Sequence, residues 1–352
     1  MPETSNALFT TLIFVRAQAA RCAPEECPHR KTFSERFDAT HSIARHTWPT
    51  ISGKLTVGSS GKLTATGGTS GPGGIVTLTL GTGGFVVQTN AAATPVDVSG
   101  AGAGSLTVNA DGDVSISKAI SADASTVAAT AGSILITAGR RSGTSVVASG
   151  SISLLGGSSS GLSATTTTAS AQLGGTISLT AIGVPPSGKI DLENAVDVSG
   201  GTAGGGSITI TSDGDTILGV TPKSHFLFAD GFGDAGSGGS IDVFAEGKID
   251  SPAGMNKPIS AVGHSAATSG NPGGAGGSIT FEADSGLVNL SGASTGGAIA
   301  ADAAAGSCGG SVSVTQDTAV GAAVTIAVPI TVAGLGISGS TGTTSDGNGG
   351  SL

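Results

Sequence analysis

Gly204-Gly205-Gly206-Ser207-Ile208-Thr209-Ile210-Thr211-Ser212-Asp213-Gly214-Asp215 is the stretch whose reading decides the fold. Apolar residues and Thr alternate with a period of two, so Ile208 and Ile210 share one face of a strand while Thr209 and Thr211 share the other. Asp213-Gly214 then reads as a tight corner, where Gly accepts the positive φ that other residues resist. A single strand of this kind buries one face only if something is laid against it.

What is laid against it is more of the same. The phrase Gly, small residue, apolar-x-apolar recurs at Gly74, Gly104, Gly132, Gly175, Gly206, Gly239, Gly277 and Gly310, at intervals of 30, 28, 43, 31, 33, 38 and 33. A further start, Gly350-Ser351-Leu352, follows after 40. A fixed phrase at irregular intervals marks a solenoid whose coils share a strand and differ in loop length. After each phrase comes a corner such as Asp111-Gly112, Ser187-Gly188, Glu246-Gly247 or Ser285-Gly286, then a second alternation such as Val114/Ile116 or Ile190/Leu192. A third short strand is legible at Val96-Asp97-Val98, Val196-Asp197-Val198, Ile259-Ser260-Ala261 and Ile330-Thr331-Val332. Pro95, Pro258 and Pro329 precede three of these, at a strand start where no ladder donor is lost. The expected fold is all-β: a right-handed parallel β-helix of about eight or nine three-strand coils over 51–352. The interval of 43 contains a second phrase, Gly150-Ser151-Ile152-Ser153-Leu154, which leaves one coil or two open between 133 and 175.

Composition agrees with a solenoid and excludes other classes. The chain of 352 residues holds 61 Gly, no Tyr, 3% aromatic and 11% charged residues, with 38% apolar content. Disordered chains are poor in Val, Ile and Leu and rich in charge, which this one is not. Fifteen Lys and Arg stand against 24 Asp and Glu, a formal charge of -9. Residues 1–50 hold six of those bases and five of the acids, leaving nine against nineteen in the repeats. An acidic rod repels phosphate backbones, so nucleic acid is not an expected partner.

Residues 1–50 form a separate, non-repetitive extension. Ala7 to Val15, followed by Arg16 and Ala17-Gln18-Ala19, has the outline of a signal peptide over 1–19, although Glu3 precedes the run and no Lys or Arg does. Cys22 and Cys27 form a C-x4-C pair, at the wide limit of the spacing in structural zinc sites, with His29, His41 and His46 as further conceivable ligands, and no metal site is expected there. Cys308 stands alone in the repeats.

No motif in the repeats carries the context its chemistry needs. Gly231-Phe232-Gly233-Asp234-Ala235-Gly236 and Gly334-Leu335-Gly336-Ile337-Ser338-Gly339 fit G-x-G-x-x-G, but more Gly follows where a dinucleotide site needs a helix. Gly157-Ser158-Ser159-Ser160-Gly161 fits the nucleophile elbow, again with no helix behind it. The Gly-Lys pairs at Lys54, Lys62, Lys189 and Lys248 lack the Ser or Thr of a phosphate loop. Asp111/Asp113, Asp213/Asp215 and Asp230/Asp234 suggest calcium, yet the tandem G-G-x-G-x-D array is missing, so corner roles are expected. Arg140 and Arg141 are the only repeat arginines, and His225 and His264 are each solitary. The expectation is therefore no catalytic, cofactor or metal site.

The phrases Gly205-Gly206-Ser207-Ile208-Thr209-Ile210 and Val196-Asp197-Val198-Ser199-Gly200-Gly201 resemble the filamentous-haemagglutinin-like and autotransporter-passenger β-helices of large bacterial surface proteins. The resemblance covers 51–352. It implies a structural or adhesive solenoid at the cell surface or secreted, exported through an outer-membrane partner, with a host-cell or matrix surface as its target. The departures are a missing barrel-like C-terminal run, no secretion domain before the repeats and a phrase that stops at Leu352, which together point to a piece of a larger adhesin-like protein. An end coil left open would also pair with other copies of the chain through Ile326, Val328 and Ile330. Two readings rival adhesion: a β-helix polysaccharide lyase or hydrolase, and an ice-binding solenoid. Sugar enzymes stack their substrates on Trp or Tyr, and the repeats hold neither. The Thr ladder of an ice binder fits Thr77/Thr79 and Thr209/Thr211 but is interrupted by Leu135, Asp242/Phe244 and Glu282.

The strand register makes a direct prediction. Ile208→Asp places an unpaired charge in the core and costs roughly 3 kcal/mol or more, whereas Thr209→Asp stays within about 0.5 kcal/mol. Urea denaturation of both variants checks this, and equal losses would mean a register slipped by one residue.

Overall fold

The computed structural model describes residues 53–334 apart from 60, 68–70, 127–128, 157–160, 220–226, 253–257, 267–271, 292–297 and 318–323, together with the backbone of Arg16–Gln18 and Arg45–Thr47. Nine coils stack into a right-handed parallel β-helix, with no helix among the described residues. Each coil enters on a long strand. In order these are Arg45–Thr47, Ile75–Leu80, Ser105–Ala110, Ser133–Ser142, Thr176–Ala181, Ser207–Ser212, Ser240–Ala245, Ser278–Ala283 and Ser311–Gln316. A corner leads to a second strand, from Lys54–Val57 in the first coil to Val324–Ala327 in the ninth, and then to a third, from Leu63–Thr64 to Ile330–Thr331. Each set of nine forms one parallel sheet. Arg16–Gln18 adds an antiparallel strand to Lys54–Val57 at the edge of the second sheet.

The period of two becomes a core because the coils stack in register. Ile177, Ile208, Ile241 and Ile279 lie over one another, as do Leu179, Ile210, Val243 and Phe281, and all eight are buried. Burial of a side chain of this size contributes about 1.5–3 kcal/mol, so each added coil deepens the core. Leu162, Val196, Leu227 and Ile259 close the third wall. The prolines suit their strand starts: Pro95 and Pro329 each present a carbonyl to the coil before, accepting from Leu63 and Ile299.

One open choice is decided and one expectation changes. The Gly150 phrase is not the start of a coil, since Ile152–Leu154 is the second strand of coil 4, stacked between Val114–Ile116 and Ile190–Leu192. The extra length is a hairpin, Ser133–Ser142 against Ser145–Ser149. The corner glycines also differ in their reason. Gly188 has φ 77°, but Gly112 has no positive φ; there a Cβ would lie 2.1 Å from the Thr82 carbonyl oxygen of the coil below. Closeness between coils, more than backbone handedness, demands Gly at that corner.

The same constraint explains the glycine that opens each phrase from Gly104 to Gly310. A Cβ on Gly206 would lie 2.0 Å from the Gly175 oxygen, one on Gly239 2.1 Å from Gly206, and one on Gly277 2.1 Å from Gly239. The glycine before it meets the third strand: a Cβ on Gly205 would sit 1.9 Å from the Ala229 oxygen. Gly-Gly-Ser-Ile is thus the mark of a vertex where two backbones approach too closely for any side chain.

Gly206→Ala should therefore destabilise the chain by about 2–3 kcal/mol, as overpacking against backbone does. Gly102→Ala, whose nearest would-be neighbours lie at 3.7 Å, should stay within about 0.5 kcal/mol. Thermal denaturation of the two variants separates a steric role for the vertex glycines from a general preference for Gly.

Candidate functional site

Stacking gathers charge at the corner between the long and second sheets. Asp213, Glu246, Asp284 and Asp317 each follow a long strand, and each donates its N–H to the coil below, at Ala181, Ser212, Ala245 and Ala283. They therefore form one column at the pitch of parallel strands, about 4.8 Å. Lys189, Asp215, Lys248 and Leu287 form a second column beside it, their carbonyls accepting in turn from Ile152, Ile190, Thr216 and Ile249. With Pro185 and Pro186 these columns, Asp317 excepted, line a shallow groove of about 610 Å³.

Like charges at this pitch repel, and cations from elsewhere in the fold answer them. Arg141, from the hairpin of coil 4, places Nη2 2.6 Å from Asp213 Oδ2 and 3.4 Å from Glu246 Oε1. The hydrogen bond and charge of Asp213 hold the guanidinium pKa further above its ordinary value. Arg140 Nε lies 2.9 Å from Asp111 Oδ1. Lys248 Nζ lies 2.9 Å from Asp250 Oδ2, and that hydrogen bond raises the ammonium pKa.

Other carboxylate contacts at this corner and on the third sheet tie one coil to the next. Asp113 Oδ1 accepts from the Ser151 N–H, Asp215 Oδ1 from Lys248 and Asp213 Oδ2 from Gly183. On the third sheet the device recurs in one form. Asp123, Asp230 and Asp302 each take, on Oδ1, the N–H of the residue stacked on them in the following coil: Thr165, Val262 and Ala333. On Oδ2 each takes a hydroxyl two residues earlier in that coil, from Ser163, Ser260 and Thr331. Burial raises the Asp230 pKa above the usual carboxylate range, against the pull of these two donors. Burial likewise raises that of Asp191, with Lys189 acting in the opposite direction.

These contacts place the sequence candidates. Asp111, Asp113, Asp213, Asp215 and Asp230 serve ion pairs and coil-to-coil hydrogen bonds, and among the described residues no three His, Cys, Asp or Glu converge as a metal set. Gly231 to Gly236 leads into the strand Ser240–Ala245 with no helix between. His264 stacks edge-on to Phe232, ring centroids 6.3 Å apart, with Nδ1 3.1 Å from the Ser265 carbonyl. Lys54 is the first residue of the second strand of coil 1, Lys62 immediately precedes its third strand, and Cys308 is an exposed thiol. Cys22, Cys27, His29, His41, His225, Gly157 to Ser160, and 335–339 lie outside the described residues, as does the side chain of His46. Sequence reading missed Asp123 and Asp302, and missed that Arg141 meets Asp213. The third-strand recurrence Ser121-Ala122-Asp123, Phe228-Ala229-Asp230 and Ala300-Ala301-Asp302 was the available signal.

The chain matches no family model, no curated protein and no solved structure.

The raised Asp191 pKa sets a pH dependence. An acid whose pKa rises on folding favours the native state while it is protonated, and that contribution is lost as pH climbs through the folded value. Asp191→Asn should therefore raise the denaturation midpoint at neutral pH, with the gain shrinking to nothing below the ordinary Asp pKa of about 3.9. Midpoints of wild type and variant measured across that range test it; a gain that persists in acid would assign the effect to something other than the charge.

Proposed function

We propose that this chain is a structural and adhesive β-solenoid, without catalytic activity, that works outside the cell or on a bacterial surface. The observation that carries the reading is a hydroxyl column on the outer face of the long sheet. Ser105, Ser133, Thr176, Ser207, Ser240, Ser278 and Ser311 occupy one register position in seven consecutive coils. They are half-buried or exposed, and Ser240 donates to Ser207 across 3.0 Å. The neighbouring outward column runs Thr77, Thr107, Leu135, Ser178, Thr209, Asp242, Thr280 and Ser313, so hydroxyls dominate there too, with Leu135 and Asp242 as interruptions.

A flat row of equivalent donors and acceptors at a fixed pitch suits a repetitive or extended partner, because many weak contacts add through multivalency without any one deep pocket. A host-cell or matrix surface is the partner class under this reading, with an outer-membrane partner for export. Copies of the chain are a second class, met at the edge formed by Ser311–Gln316, Val324–Ala327 and Ile330–Thr331, where Val324 and Ile326 are exposed.

The test is retention of the purified chain on surfaces coated with matrix protein or cell-surface glycan, read by interferometry. Replacing Ser207, Ser240 and Ser278 together with Lys should lower avidity at least about tenfold, as expected when several linked contacts are lost at once. Unchanged retention would remove the hydroxyl column from the reading. Product release from a polysaccharide that stops in the Asp213→Asn/Asp215→Asn variant would favour the enzyme reading, and thermal hysteresis in ice would favour the ice-binding one.

A further inference from the structure

In a solenoid each coil touches only its neighbours, so stability is a sum of coil and nearest-neighbour contributions, and melting can begin anywhere. The hairpin of coil 4 departs from that rule. Ser133–Ser142 pairs with the flanking coils only as far as Ala138; Gly139 to Ser142 leave the sheet and pair with Ser145–Ser149 instead. From this excursion two adjacent arginines reach opposite ways along the axis. Arg140 meets Asp111 in coil 3 at 2.9 Å, and Arg141 meets Asp213 in coil 6 at 2.6 Å and Glu246 in coil 7 at 3.4 Å. Ser149 Oγ accepts from the Val184 N–H of coil 5 at 3.3 Å.

The contacts differ in weight. The Arg140 side chain is 62% exposed, so its pair with Asp111 is screened and adds little. Asp213 is 8% exposed and its Oδ2 also holds the Gly183 N–H, so the carboxylate is held in place and, although the Arg141 side chain is 35% exposed, water screens this pair less than it screens Arg140 and Asp111. Glu246, in the next coil, extends the same guanidinium contact. Arg141 thus joins residues two and three coils away, in a column of like charges that would otherwise push those coils apart.

We propose that the hairpin spanning residues 133–149 is an ionic strap that couples coil 4 to coils 6 and 7, so that coils 4 to 7 open as one unit instead of coil by coil. The inference concerns how the rod resists unravelling and does not depend on what it binds.

Native-state hydrogen exchange and urea unfolding of the full chain test it, using wild type, Arg141→Gln and Arg141→Lys. Arg141→Gln should lower protection of the amides in Ser207–Ser212 and Ser240–Ala245 by about fivefold to tenfold and broaden the urea transition to a smaller m-value. Arg141→Lys, which keeps the charge and loses the fork, should fall between. Moving wild type from about 0.01 M to about 1 M NaCl, where the screening length falls from about 30 Å to about 3 Å, should reproduce part of the loss, whereas Arg141→Gln, left with only the repulsion of the carboxylate column to be screened, should keep or gain protection. Loss of protection confined to residues 139–150, with an unchanged m-value, would reduce the hairpin to a local ornament and overturn the proposal. If Arg141→Gln does not fold, the wild-type salt series decides alone, and protection in coils 6 and 7 that ignores salt would overturn it equally.

Discussion

Everything in this rod depends on how closely one coil can approach the next at the vertex where the long strand begins. There the backbones of Gly175, Gly206, Gly239 and Gly277 meet with no room for a Cβ, each would-be Cβ falling about 2 Å from the glycine oxygen below. Because that vertex repeats, the strands after it start level, and level starts put Ile208 over Ile177 and under Ile241. Core packing, ladder hydrogen bonding and the outward hydroxyl columns all inherit this alignment. A side chain at the vertex would tilt one coil against the next and disturb the register of three sheets together.

The second feature of the fold is the use it makes of its acids. A charge of -9 in a chain with few bases would ordinarily be a solvated surface. Here much of it is spent between layers: Asp113, Asp123, Asp215, Asp230 and Asp302 each accept an N–H from the following coil. A carboxylate bonded to a backbone N–H forms a charge-assisted hydrogen bond, stronger than the neutral ladder bonds beside it. The acids then act as fasteners in the places where strands are short, especially the two-residue third strands. At the corner groove the column Asp213, Glu246, Asp284, Asp317 goes further than fastening, and Arg141 lies across its first two members.

These properties bear on the functional reading. Carboxylates committed to adjacent coils, and a flat outer face of Ser and Thr, support a rod whose work lies in length and surface. Loop lengths vary from coil to coil while the glycine vertex and the apolar character of the inward positions recur, so coils of different outline stack on one frame.

The sequence by itself determined the class of fold, because period-two alternation and a recurring Gly-Ser-Ile phrase are local properties: the inward set Ile208, Ile210, Ile241 and Val243 could be named from spacing alone. The third strands, too, were legible from Val-Asp-Val and the prolines before them. It could not say why the glycines are there, since Gly206 is required by an oxygen 31 residues earlier and Gly112 by one 30 residues earlier. Nor could it assign Ile152–Leu154, whose phrase is the same as a coil start and whose role follows from the hairpin before it. The candidate groove was illegible for the same reason. Asp213, Glu246 and Asp284 are 33 and 38 residues apart in the chain, and loop lengths that vary freely conceal that they share a column. Only the stacking of coils, which converts irregular spacing along the chain into a constant pitch along the axis, decides which side chains meet and places Arg141 beside Asp213.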